Sequence, residues 1–254
     1  MGVEEIKIFI PTKNRVGKQK TYEILKSLNL EPILVIEPQE ENSYKGKFNY
    51  ILLPDNDRGI SFSRNYIIDY SRQKGYNYII QIDDDLNGFY RKEGKKLIKD
   101  NSVFIKALER FIEYKGYCGL EYQQFAWCQD CDESFNRSVE VCLMMYLPYI
   151  PEDVKFDPKS KEDKDFAIQL LMHGKETMKM NNISLSVPTV GSNEGGLHDW
   201  YSSKKDADAS YYMLEKWGNE IITIKDKKDR IDAMVNWKGV INKYNRENDS
   251  SLLF

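Results

Sequence analysis

The sequence predicts an α/β fold, a single domain on a doubly wound, mostly parallel sheet whose second half is mixed. Three observations predict it. Short runs rich in Ile, Val, Leu, Phe and Tyr, which suit a pleated sheet, recur through residues 1–100. Between them lie stretches with apolar residues at helical spacing. Pro, Gly or polar clusters close each run, so strand and helix alternate as in βαβ units.

Ile6–Pro11 (IKIFIP) reads as the first strand. Gln19–Leu28 follows as a helix with Tyr22, Leu25 and Leu28 on one face. Pro32–Glu37 (PILVIE) and Tyr50–Pro54 (YILLP) are the second and third strands. Ser61–Lys74 is a helix with Ser61 as its cap and Gly75 as its stop. Tyr78–Leu86 (YIIQIDDDL) is a strand that ends in Asp83, Asp84 and Asp85. After a helix at Val103–Lys115 the pattern changes. Tyr117–Trp127 and Val139–Tyr146 read as longer strands joined by a polar, hairpin-like insertion. A helix at Lys164–His173 has Glu162 and Asp163 just ahead of it. A glycine-rich turn (Gly191–Gly196), a helix at Ala207–Trp217, a strand at Ile221–Lys225 and a C-terminal helix at Arg230–Tyr244 complete the reading. No repeat or linker divides the chain, so residues 1–254 are expected to form one domain with halves at about 1–100 and 101–254.

The composition, 41% hydrophobic and 30% charged, is that of an ordinary soluble protein. A net charge of -3 argues against a generally basic nucleic-acid coat, although 37 Lys and Arg can still form a local basic groove. No apolar run is long enough for a signal peptide or a membrane span, and MGVEEI departs from the myristoylation pattern, so a cytoplasmic protein is expected, in the host cytoplasm if it is viral. Cys128 and Cys131 form a C-x-x-C that raises the question of zinc. Cys118 and Cys142 provide no matching second pair and read as small buried hydrophobes.

Three adjacent carboxylates at a strand end repel one another, and folding alone gives no reason to put them there. A hard divalent cation such as Mg²⁺ or Mn²⁺ does, because it takes carboxylate oxygens and bridges them to phosphates. Alternation along a strand would turn Asp83 and Asp85 toward one ion and Asp84 elsewhere. The competing explanation is a solvated turn that caps the next helix. Neither G-x-G-x-x-G after the first strand nor G-x-x-x-x-G-K-[ST] occurs. A bound diphosphate would therefore need metal and basic side chains. In sheets of this type ligands sit at the carboxyl ends of strands, where the aspartates and the Pro11–Arg15 loop (PTKNR) both lie.

A first strand ending in IPTKNR, then GISFSRN opening a helix, then a strand ending in DDD resembles the nucleotide-sugar half of a GT-A glycosyltransferase. The resemblance implies that Asp83 and Asp85 hold a divalent cation on the donor's diphosphate, with Asp84 touching the donor. It places Pro11, Thr12, Lys13 and Arg15 at the nucleoside, with Arg64 and Asn65 near the donor. Glu37 stands where many related transferases have Asp. Glu162 and Asp163, with Asp165 nearby, match an acidic pair in the acceptor half from which one carboxylate acts as general base. His198 occupies the place of a third metal ligand. The set IPTKNR…RGISFSRN…IDDDL…EDKDF…GGLHDWY most resembles the phage-type TET-associated glycosyltransferases, up to about Trp217. Those enzymes attach sugars to hydroxymethylated pyrimidines in DNA. The resemblance implies a UDP-sugar donor and a flipped hydroxymethylpyrimidine acceptor such as hydroxymethylcytosine. Gly195, Gly196, Trp127, Trp200 and Tyr201 are then candidates at the acceptor. Arg91, Lys92, Lys95, Lys96, Lys204 and Lys205 are candidates on the DNA backbone. The rival readings are a transferase acting on a glycan or protein, a nucleotidyltransferase, and a non-catalytic DNA-binding relative.

Overall fold

The structure, a computed structural model, describes residues 3–158, 160–188, 206–227 and 230–248. Strand β1 (Lys7–Pro11) leads to α1 (Lys20–Ser27), β2 (Pro32–Ile36), the short α2 (Glu41–Tyr44) and β3 (Tyr50–Leu52). Next come α3 (Ile60–Gln73), β4 (Tyr78–Ile82), the hairpin β5 (Gly88–Glu93) and β6 (Lys96–Lys99), and α4 (Val103–Tyr114). The second half contains β7 (Tyr117–Tyr122), α5 (Gln123–Ala126), β8 (Glu133–Phe135), β9 (Cys142–Tyr146), α6 (Glu162–Met172) and β10 (Thr177–Ser186). Helix α7 (Asp206–Trp217), strands β11 (Ile222–Lys227) and β12 (Arg230–Val235) and helix α8 (Trp237–Asn248) finish the described chain.

One large sheet runs β3-β2-β1-β4-β9-β7-β10-β5-β6, with β8 added on β10. The first four strands pair in parallel, as their βαβ connections require. Strand β9 enters antiparallel between β4 and β7, and β10 then runs parallel to β7 and antiparallel to β5. Strands buried on both faces need apolar residues at successive positions, which is why β1, β2 and β4 read as unbroken apolar runs. Ile8, Ile10, Leu34 and Ile80 pack on one face with Phe104 and Phe111 of α4. Phe9, Val35 and Ile79 pack on the other with Ile67 and Ile68 of α3 and Phe166 of α6. A smaller cluster joins Ile168 and Leu171 of α6 to Met213, Ala233 and Val240.

Several boundaries differ from the sequence reading. Strand β4 stops at Ile82, so the three aspartates occupy a turn and strand alternation does not govern them. The segment after them forms the β5–β6 hairpin. Ser61 is not the cap of α3. Gly59 takes that position at φ +86°, and the Ser61 hydroxyl donates to the Pro158 carbonyl instead. The Tyr117–Trp127 strand ends at Tyr122 and turns into α5, and Glu162 and Asp163 lie within the first turn of α6. The expected Arg230–Tyr244 helix is instead β12 followed by α8. Asn236 separates them, its Oδ1 accepting from the Gly239 amide (3.0 Å), as a cap does. Strand β10 escaped the reading because its interior holds Lys179, Asn181 and Ser184, polar residues that are buried here.

Candidate functional site

The turn after β4 is fixed from two sides. Thr21 at the start of α1 donates its hydroxyl to the Asp83 carbonyl (2.6 Å), and Thr21 Oγ1 in turn accepts from the Leu86 amide (3.0 Å). The Asp83 amide donates to Val141 O (2.9 Å) just before β9. The turn orients the three carboxylates differently. Asp84 sinks to 8% exposure, accepting from Thr12 Oγ1 (2.5 Å) and from Arg15. Asp83 and Asp85 remain open, at 36% and 24%. Arg15 also reaches Asp85 (2.9 Å).

Arg64, in the second turn of α3, joins this turn to the start of α6. Its Nη2 lies 3.1 Å from Asp83 Oδ1 and its Nε 3.2 Å from Glu162 Oε1. The side chain is buried, its carbonyl accepts from Gln81 Nε2 (3.1 Å), and Phe156 lies against the guanidinium. Among the described residues, its Nη1 and the Nε of Arg15 are buried without a hydrogen-bond partner. Buried donors left unpaired are expensive, and two in one crevice suit an anionic guest.

Although its side chain is partly accessible, the protein packed around the Asp83 carboxyl strips away water and pushes it up to about 6 against the pull of Arg64, with Asp85 and Asp84 adding to the rise. Burial likewise raises the acidic pair. Glu162 rises to about 7, next through the charge of Asp163, and Asp163 to about 6, next through that of Glu140. Such interacting carboxyls titrate as a pair. The carboxylate oxygens of Asp83 and Asp85 are hard donors, and their excess negative charge is what a hard divalent cation relieves. Among the described residues no group of three or more His, Cys, Asp or Glu could hold a metal ion. A cation here would need further ligands from outside the described residues.

Lys13 and Glu37 are held by their neighbours. Lys13 pairs with Glu37 (3.0 Å) and Asp57, and Glu37 also accepts from the Asp57 amide (2.9 Å) and Gln39 Nε2 (2.6 Å). Glu37 thus ties together the loops after β1, β2 and β3. Asp165 is likewise a tie. Fully buried, it accepts from Trp217 Nε1 (2.7 Å), Lys216 Nζ (2.9 Å) and Gln169 Nε2 (2.5 Å), locking α6 to α7. Asn65 brackets Phe156 through both its amide groups. Pro11 ends β1.

The structure therefore brings together Thr12, Arg15, Arg64, Asp83, Asp84, Asp85, Glu162 and Asp163. Trp127 stands apart at the end of α5, its indole N–H donating to Gln124 O (3.0 Å). Gly195, Gly196, His198, Trp200, Tyr201, Lys204 and Lys205 lie outside the described residues. The cysteines split, Cys118 and Cys142 buried, Cys128 and Cys131 exposed, all free. The sequence reading missed Lys179, Glu140 and Glu121. Lys179 Nζ lies 2.7 Å from Glu140 Oε2 and 3.6 Å from Glu121 Oε1, beside the acidic pair whose charge it feels. A lysine inside an apolar-polar alternation was the available signal.

A family model described as TET-Associated Glycosyltransferase matches residues 6–196. The chain belongs to this glycosyltransferase family. The match runs from β1 through β10 and so includes every member of the site just described. No curated protein sequence matches the chain. Among solved structures, a protein from Desulfovibrio desulfuricans G20 described as a candidate nucleotide-diphospho-sugar transferase is 9% identical, covering 98% of this chain and 96% of that one at a TM-score of 0.47. A197 from STIV is 12% identical over 72% of this chain and 85% of that one, at 0.43. A CMP:2-keto-3-deoxy-manno-octonic acid synthetase solved with CTP is 8% identical over 78% and 96%, at 0.40. No helix among the described residues is long and apolar enough to cross a membrane.

Proposed function

We propose that the protein is a metal-dependent glycosyltransferase that moves a sugar from a UDP-sugar to the hydroxyl of a 5-hydroxymethylpyrimidine in DNA. One observation carries the placement of the chemistry. Arg64 spans the open carboxylate Asp83 on one side and Glu162 on the other, so donor-side and acceptor-side acids share a single crevice. Asp83 and Asp85 would hold Mn²⁺ or Mg²⁺, which supplies charge neutralisation to the leaving diphosphate. His198 is the proposed third ligand from the chain.

The remaining work falls to the chain's own groups. Arg15 and Arg64 present their unpaired N–H donors to the donor's phosphate oxygens, preorganised by burial. Thr12 and Asp84 hold the first-strand loop against the aspartate turn. Asp163, whose residue is only partly buried, takes the proton from the acceptor hydroxyl, and Glu162 keeps Arg64 in place. The freed oxygen bonds to the anomeric carbon as the bond from that carbon to the diphosphate oxygen breaks, and the electron pair leaves with the diphosphate. An opposed base and leaving group would invert the anomeric centre.

Mass spectrometry of hydroxymethylated DNA incubated with the protein, Mn²⁺ and a panel of UDP-sugars tests the reading. A gain of one sugar mass on the modified base is expected, together with its loss in Asp85→Ala. Sugar transfer to a glycan or protein with none to DNA would sink the acceptor assignment. Pyrophosphate release from a nucleoside triphosphate and a sugar phosphate would replace the reaction with nucleotidyl transfer.

A further inference from the structure

A cavity of about 380 Å³ lies between α4, β5 and β10, outside the site described above. Four cations line it, Arg91 and Lys92 from β5 and Lys106 and Arg110 from α4, against one carboxylate, Glu133. Two of the four are balanced. Arg110 forms a two-point pair with Glu133 (2.5 and 3.0 Å), and Arg91 pairs with Glu93 and Asp100. Lys92 donates to a neutral carbonyl, that of Gln129, so its charge is not cancelled by that contact. Lys106 is exposed.

The Gln129 carbonyl belongs to the loop after α5, which β10 also fastens. The Asn181 amide donates to Asp132 O (2.7 Å), and Asn181 Nδ2 to Cys131 O (3.1 Å). Helix α5 and this anchored loop carry Phe125 and Trp127, which are 49% and 54% exposed. The indole N–H of Trp127 is satisfied within its own turn, so it does not need a polar group of the ligand. Exposed aromatic rings on the loop that Lys92 contacts, with Lys106 lining the same cavity as Lys92, form the pair of features that recognises single-stranded nucleic acid, with rings under bases and cations on phosphates.

Edge protection explains other lysines of the hairpin. Lys96 and Lys99 sit on β6, the outermost strand, where lysine keeps a foreign strand from pairing. It does not explain Lys92 and Lys106, which line the cavity. The hairpin also connects directly to the chemistry. Strand β5 begins at Gly88, just past the aspartate turn, and Arg91 and Lys92 follow about 10–13 Å along it. That is about three or four base steps of a stacked strand.

We propose that this cavity and the Phe125–Trp127 rim bind the polynucleotide strand flanking the reacting base, with phosphates on Lys92 and Lys106 and a neighbouring base on Trp127. The proposal rests on the DNA-acceptor reading and assigns the path of the strand over the protein.

Fluorescence anisotropy with a labelled oligonucleotide that lacks any hydroxymethylated base isolates this contact from catalysis. Replacing Lys92 and Lys106 together with Ala should weaken binding about tenfold and flatten the log–log salt dependence by about one to two. Trp127→Ala should weaken it about tenfold with the salt slope unchanged, and Trp127→Phe should restore most of the loss. Circular dichroism melts establish that each variant is folded, and Lys106→Glu, at an exposed position, gives a second route to the charge effect. Folded variants that bind with wild-type affinity and salt slope overturn the proposal, and if they also glycosylate DNA at the wild-type rate, the acceptor reading stands without it. A wild-type protein that binds no polynucleotide and glycosylates a glycan or protein overturns both.

Discussion

Asp163 is the residue whose proton matters most. Its carboxyl, ordinarily near 3.8, is pushed up to about 6 by burial and by Glu140, and Glu162 beside it rises from 4.5 to about 7. Both folded values exceed the unfolded ones, so the folded state binds extra protons across roughly pH 4 to 7. Stability from this pair is therefore present in full below that window and is lost as pH rises through it. Asp163→Asn should raise the melting temperature at pH 8 and flatten its decline between pH 5 and 8. The rise from 3.8 to about 6 caps the gain at about 3 kcal/mol. The open side of Asp163 brings the expected value nearer to about 1 kcal/mol. A melting curve with an unaltered pH slope would show that Asp163 carries no such burden, and the same variant should lose sugar transfer. The aspartates were legible in the sequence because three adjacent carboxylates have no folding rationale. Glu140 and Lys179 were not, because single charged residues at unremarkable spacing become a pair only when β7 brings β10 and the start of β9 to its two sides.

The elements of the first half were legible because parallel strands buried on both faces leave an unbroken apolar signature. Those of the second half were harder to read. Strand β10 carries buried polar residues, and β12 was absorbed into the helix that follows it. The packing of β7 against β9 shows what a sequence pattern cannot convey. A Cβ on Gly119 would strike the Val139 side chain and the Cys142 carbonyl, one of them backbone that cannot swing away. Gly119→Ala should therefore cost about 1–3 kcal/mol in chemical denaturation. The shift should also disturb Glu140, which follows Val139. A variant as stable as the wild type would mean that the β7–β9 spacing relaxes freely.

Across the whole molecule, the path of β9 decides where the site forms. By entering antiparallel between β4 and β7, it brings Val141 against the aspartate turn and joins the two halves into one sheet. The alternation of strand and helix could not announce that crossover, since it depends on which edges meet. The crevice that results is partly neutralised by its own guanidinium groups, with negative charge to spare. Arg15 holds Asp84 and Asp85, and Arg64 holds Asp83. A cation that arrives alone must compete with Arg15 for Asp85, whereas one carried on a diphosphate gives Arg15 a phosphate oxygen in exchange. Under the proposed function, this arrangement would have ion and nucleotide enter as a single ligand. Calorimetric titration of Mn²⁺ should show tight binding only with UDP present, and equally tight binding to the protein alone would mean that Arg15 yields its carboxylates without compensation.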